Sequence, residues 1–184
     1  MEGKPDWLPG FPVQIYCNRG DNMSATCKTC FFIGHRDAPD TIYPALLAEV
    51  ERHITELGVG EFIVGHYGRF DSLTARAVKE SKAQHPEVEL TLLLPYHPAK
   101  KPVQKPEGFD SLFYPPGMEK VPYRAAIVAA NRYVVDHVDY LIAYAWQPGS
   151  NAKDLVEYAE RYKKIGKIVI TEIDRFGLNE YTKK

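Results

Sequence analysis

The sequence is short of cysteine, of net charge and of any long apolar run, and each shortage removes a class of protein. Its three cysteines, Cys17, Cys27 and Cys30, leave one unpaired in any disulfide scheme, so a disulfide-built secreted scaffold is not expected. Cys27 and Cys30 have the spacing of half a zinc or redox site. No second pair follows, however, and Cys30 opens an apolar, strand-like run, so no metal site is expected. Lys+Arg 23 against Asp+Glu 24 gives a formal net charge of -1. Without the basic excess that phosphate-backbone binding requires, nucleic acid is not an expected partner. No apolar run approaches the roughly 20 residues that span a bilayer, and no charged segment with a hydrophobic signal core opens the chain. The expectation is a cytoplasmic protein without membrane contact. Also missing are the spacing of a nucleophilic triad, a Walker-type Gly-Lys-Ser/Thr loop, a complete metal set, an internal repeat and a low-complexity tract. No cofactor is expected.

What is present is an ordinary globular composition, 45% hydrophobic and 26% charged, which argues against wholesale disorder and against a fibrous repeat. A length of 184 residues suits one core rather than two. Residues 1–26 carry Pro5, Pro9, Gly10, Pro12 and Gly20 without periodicity and read as an irregular leader. Residues 27–174 read as the domain and 175–184 as a tail.

Within the domain, short apolar runs alternate with amphipathic segments, the pattern of βαβ units wound into a parallel sheet. The expected strands are Cys30–Ile33, Glu61–Val64, Glu89–Leu94, Tyr140–Ala145 and Lys167–Thr171. Most are continuously apolar, which means burial on both faces. Ile42, Leu46, Leu47, Val50, Ile54 and Leu57 recur at helical spacing, as do Ile127, Val128, Val134, Val135 and Val138. Further helices are expected from about Ser72 to His85 and from about Lys153 to Ile165, with Pro86 and Gly166 fitting their ends. Tyr96–Tyr123 is rich in proline and lysine and reads as a long excursion in which only Asp110–Tyr114 resembles a strand. The fold class is α/β: a Rossmann-like three-layer sandwich with a mostly parallel sheet of about five strands.

In such a sheet every strand-to-helix loop emerges at one edge, and ligands settle where the strand order reverses. Three loops there carry unusual polar and glycine content. After the first strand, Gly34 lets the backbone turn and Arg36 offers a planar fork for phosphate or carboxylate. His35 can donate a hydrogen bond or transfer a proton; the alternative is that it satisfies loop backbone, Arg36 pairs with a surface acid and Asp40 caps the next helix. The second loop, Gly65-His66-Tyr67-Gly68-Arg69-Phe70-Asp71, places two glycines just before a helix and is the stronger anion cradle. Asp71 is either the cap of that helix or a ligand for a ribose hydroxyl, and His66 and Tyr67 either stack on a base or shield the loop. The third, Gln147-Pro148-Gly149-Ser150-Asn151, precedes a helix whose free N–H groups can hold a phosphate; Ser150 and Asn151 are also ordinary N-cap residues. Asn131, Arg132 and Asp136 interrupt an apolar helix, and Asn131 and Arg132 can reach the same pocket, although solvent exposure suits Arg132 and Asp136 equally.

Read in order, Cys30-Phe31-Phe32-Ile33-Gly34-His35-Arg36, the Gly65 to Asp71 loop, Asn131-Arg132 with Asp136, and Val156-Glu157-Tyr158-Ala159 resemble the SLOG superfamily, and within it the YpsA-like branch, a domain of unknown function. The likeness runs from about Thr29 to Ile170. The superfamily is named after the DNA-processing protein A and LOG families. It implies a Rossmann-like fold with a pocket for nucleotides or related ligands, and only sometimes catalysis. LOG enzymes cleave the N-glycosidic bond of a nucleoside monophosphate with a Pro-Gly-Gly-x-Gly-Thr-x-x-Glu motif. The matching stretch here reads Gln147-Pro148-Gly149-Ser150-Asn151-Ala152-Lys153-Asp154, without the glycine run or the closing Glu.

The expected ligand-binding residues are thus Gly34, His35, Arg36, Gly65, His66, Gly68, Phe70, Asp71, Asn131, Arg132, Gly149, Ser150 and Asn151. The expected function is binding of a nucleotide or nucleotide-derived small molecule, as a sensor or sequestering module, at the C-terminal edge of the sheet. The alternative is an N-glycosidase or deoxyribosyltransferase-like enzyme with Asp71 or Glu157 as the acid that meets the sugar. Such sheets often pair through outer helices, which leaves a homo-oligomer open.

Overall fold

The computed structural model describes residues 27–175; the expected leader 1–26 and tail residues 176–184 lie outside them. The strands are β1 (Lys28–Gly34), β2 (Val59–Val64), β3 (Glu89–Leu93), β4 (Ser111–Phe113), β5 (Tyr140–Tyr144) and β6 (Val169–Glu172). The α-helices are α1 (Tyr43–Thr55), α2 (Arg69–Ser81), α3 (Ala126–Val135) and α4 (Asn151–Lys163). The six strands form one sheet in the order β4-β3-β2-β1-β5-β6, and every neighbouring pair is parallel.

The strand beyond the expected five is β4, inside the proline-rich stretch. It falls within Asp110–Tyr114, the one strand-like run of that stretch, and its partly exposed residues lack the apolar run of a central strand. Asp110 pins it from just outside: its N–H donates to Leu90 O at 2.9 Å and its carboxylate accepts the Leu90 N–H at 2.7 Å.

Successive residues of a strand point to opposite faces, so adjacent Phe31 and Phe32 enter different cores. Phe32, Phe62 and Leu92 pack with Leu46, Val50, Phe70 and Ala77 of α1 and α2. Phe31, Ile63, Leu93 and Leu141 pack with Ala130, Val134, Leu155 and Ala159 of α3 and α4. Covering both faces buries every residue of β2 and β5, which is why Phe62–Val64 and Leu141–Ala143 read as unbroken apolar runs.

Element boundaries move for local reasons. α2 starts at Arg69, ahead of the expected Ser72, with Gly68 in the extended N-cap position. β6 starts after the expected Lys167 because the Lys167 N–H still closes the end of α4, donating to Tyr162 O at 3.0 Å. No helix among the described residues is long and apolar enough to cross a membrane.

From β1 the chain steps outward through β2, β3 and β4, and α3 then carries it back to β5 on the other side of β1. The strand order reverses there. Since all strands run the same way, the loops leaving β1 and β5 part toward opposite faces and open a crevice at the C-terminal edge.

Candidate functional site

That crevice is a cleft of about 410 Å³. Its walls are the end of β1 with the loop to Asp37, the β2–α2 loop, the start of α3 with Arg124 just ahead of it, and the β5–α4 loop with the first residues of α4. The three glycine-bearing loops therefore meet around one space.

Hydrogen bonds fasten them to one another. The Arg69 N–H donates to Arg36 O at 2.7 Å and joins the first loop to the second. The Gln147 N–H donates to His35 Nε2 at 3.0 Å and joins the first to the third. An Nε2 that accepts leaves the ring proton on Nδ1 in the neutral imidazole, and burial pushes the His35 pKa down, against an upward pull from Asp37. The ring stands edge-on to Tyr144 and Trp146, at 5.5 and 5.4 Å. Its Nε2 serves loop backbone and is not available to move a proton.

Two glycines make the close approach possible. A Cβ on Gly34 would sit 2.3 Å from the Phe70 ring, and one on Gly68 would sit 3.0 Å from Arg36 Cα. Phe70 is fully buried, stacked at 6.0 Å on Tyr144. It supports the first loop from below and does not line the cleft, which corrects its expected ligand contact.

Asp71 does line the cleft, as the third residue of α2 rather than its N-cap. Its carboxylate reaches back to accept the Tyr67 N–H at 2.8 Å. Burial pushes its pKa up, opposed by the hydrogen bonds from the Tyr67 and Gly68 N–H groups and by Arg36. The N-cap of α4 is Ser150, whose hydroxyl accepts the Lys153 N–H at 3.2 Å and donates to Gln147 O at 2.8 Å. With Ser150 so engaged, the anion-facing donors are the Asn151 and Ala152 N–H groups, which have no acceptor among the described residues. They stand at the positive end of the helix.

Of the expected residues, Gly34, His35, Arg36, Gly65, Gly68, Asp71, Asn131, Ser150 and Asn151 line the cleft. His66, Arg132, Gly149 and Glu157 do not. His66 is exposed against Tyr67, with ring centroids 4.1 Å apart. Arg132 turns outward onto the Tyr158 ring at 5.2 Å, and Asp136 accepts the Tyr158 hydroxyl at 2.8 Å. Gly149 holds a left-handed turn at φ 69°. Glu157 is exposed on the α4 face opposite the buried Leu155, Val156 and Ala159. Asp40, a possible cap, instead pairs with Arg69 at 2.6 Å.

Among the residues that sequence reasoning missed are Asp37 and Arg124. Arg124 directly follows the proline-rich stretch, in a 3-10 turn (Tyr123–Ala125), and enters the cleft because α3 starts at the same sheet edge. A basic residue just ahead of an apolar helical stripe is the signal that marks it. No group of three or more His, Cys, Asp or Glu among the described residues is placed to hold a metal. Cys30 is buried, and burial pushes its thiol pKa up.

Arg36, Arg124, Asn131 and the first N–H groups of α4 thus surround the space with donors, against the carboxyl groups of Asp37 and Asp71. Such a ring suits a small oxyanion such as a phosphate. No family model matches the chain, and no curated protein matches it significantly.

Proposed function

We propose that the chain binds a nucleotide or nucleotide-derived small molecule in the cleft between β1 and β5, as a sensor or sequestering module, with the phosphate held by Arg36, Arg124 and the N-terminus of α4. One observation carries this reading: donors with no hydrogen-bond partner among the described residues, from separate loops, face a single crevice whose walls are already fastened together by His35 and by the Arg36 carbonyl. A cleft pre-formed in this way loses little order on binding. The resemblance to the YpsA-like branch of the SLOG superfamily points to the same class of ligand.

Calorimetry with ribose 5-phosphate tests it. Saturable binding is expected, and Arg36→Ala is expected to weaken it roughly tenfold to a hundredfold, the value of a charge-assisted hydrogen bond. Absence of binding would remove the reading.

The second reading, an N-glycosidase or deoxyribosyltransferase-like enzyme, draws on Asp71. A carboxyl whose pKa is raised by burial, beside the proposed phosphate position, has the character of a general acid. Its bond from the Tyr67 N–H argues for a structural role. Free base released from nucleoside monophosphates by the wild type, and lost in Asp71→Asn, would establish catalysis in place of simple binding.

A further inference from the structure

The described residues leave six large apolar side chains well exposed: Leu112, Tyr123, Val128, Trp146, Ile165 and Val169. Leu112 and Val169 sit on the two edge strands, and Ile165 sits on the turn after α4. The other three gather at the cleft. Val128 lines it, Tyr123 directly precedes cleft-lining Arg124, and Trp146 directly precedes cleft-lining Gln147.

Tyr123 is 68% exposed although one face of its ring is covered. That face stacks on Tyr96, with centroids 4.2 Å apart and planes 21° from parallel. Tyr96 in turn meets Tyr67 edge-on at 6.1 Å, and Tyr67 lines the cleft. The Lys101 ammonium lies 4.8 Å from the Tyr96 ring and 5.1 Å from the Tyr67 ring. A file of tyrosines therefore leads from the cleft wall to solvent, has a cation beside it, and ends in an uncovered aromatic face. Topology brings it there: Tyr96 and Lys101 follow β3 and Tyr123 follows β4, so both segments leave the sheet at the edge where the cleft opens. Trp146 differs, since it packs edge-on against His35 and extends no parallel stack.

We infer that the Tyr96–Tyr123 pair is a stacking platform for the heteroaromatic ring of the ligand, which makes the ligand class a nucleoside 5′-phosphate rather than a phosphosugar. The inference rests on the reading of the cleft as a phosphate site and adds where the base lies: outside the sheet, as a third layer on the two tyrosines. Stacking uses the face that every base has, so this platform discriminates weakly among bases. Lys101 contributes positive charge to the same rim.

The test is a calorimetric cycle of ribose 5-phosphate and the four nucleoside 5′-monophosphates against wild type, Tyr123→Ala and Trp146→Ala. Wild type is expected to bind the monophosphates about tenfold tighter than ribose 5-phosphate, within the range of one stacked base. Tyr123→Ala is expected to abolish that gain while leaving ribose 5-phosphate binding within about twofold, and Trp146→Ala to retain it. The platform is overturned if the gain is absent in wild type, if it survives Tyr123→Ala, if it is lost only in Trp146→Ala, or if Tyr123→Ala weakens ribose 5-phosphate equally. Failure of both ligand types to bind wild type would remove the phosphate site and this inference together, whereas ribose 5-phosphate binding without a base-dependent gain would remove this inference alone.

Discussion

The two edges of the sheet are both rich in polar side chains, yet they handle them in opposite ways. At the N-terminal edge the groups are closed on one another. Arg52 Nε donates to buried Glu49 at 2.9 Å, and His53 Nδ1 donates to Glu49 O at 2.7 Å. Thr29 donates its N–H to Asp139 at 2.8 Å, and Thr91 donates to buried Glu61 at 2.7 Å. The atoms left over there, His53 Nε2, Glu61 Oε2 and Ser81 Oγ, are sealed from water without a partner among the described residues. At the C-terminal edge the groups without a hydrogen-bond partner among the described residues, Arg36, Arg124, Asn131 and the first N–H groups of α4, face an open cleft. An unpaired group in a closed interior is a cost of roughly 1–3 kcal/mol; beside water it is hydrated at no such cost and remains free to meet a ligand. Density of polar residues therefore does not mark a site. Access does.

The largest expected effect probes what holds the open edge in shape. Phe70 lies beneath Gly34 and against Tyr144, and truncating a fully buried phenylalanine costs about 3–5 kcal/mol. Phe70→Ala should lower the urea-unfolding free energy by that amount. A loss below about 1 kcal/mol would mean that the core does not support the cleft floor.

The closed edge should respond to acid. Burial, with a smaller push from Arg52, lowers the His53 pKa to about 4 against an upward pull from the Glu49 carbonyl. In the unfolded chain the value is about 6.5, so between these limits the unfolded state binds more protons and stability rises with pH. His53's contribution is complete above about pH 6.5 and is lost as pH falls toward 4, where a proton on Nε2 has no acceptor among the described residues. By pH 5 wild type should lose about 2 kcal/mol more than His53→Gln relative to pH 7, the carboxylate contributions being common to both. Parallel stability profiles for the two proteins would break the contrast between the edges.

Much of this was legible in the sequence, and the gaps have physical causes. The central strands announced themselves because two covered faces demand unbroken apolar runs such as Phe62 to Val64 and Leu141 to Ala143. β4 gave only the short strand-like run Asp110–Tyr114, because it is three residues long and partly exposed. The three loops were readable because glycine beside the end of an apolar strand is rare without a reason. What each side chain does within them was less so. Phe70 stood inside a polar motif and read as a ligand contact; its burial depends on the missing side chain of Gly34, a contact between residues distant in the chain. Glu157 lay inside a matching motif, but its place on the outer face of α4 is a matter of helical phase. Arg124 lay just beyond a stretch without periodicity, and where it sits is set by where β4 ends.

The smallest expected effect concerns the rim. Arg69 grips Asp40 with two donors, Nη2 at 2.6 Å and Nε at 3.0 Å from Oδ1, bridging the loop after β1 to the start of α2. The geometry is good, yet the side chains are 52% and 68% exposed. Water and salt screen such a pair, and exposed pairs of this kind contribute at most about 1 kcal/mol. The Arg69 N–H bond to the Arg36 carbonyl already joins the same two segments without side-chain charge. A double-mutant cycle with Arg69→Ala and Asp40→Ala should therefore give a coupling of about 0.5 kcal/mol that fades in high salt. A coupling above about 2 kcal/mol would mean that surface charge holds the loops together, and the cleft would then change shape with ionic strength while the closed edge did not.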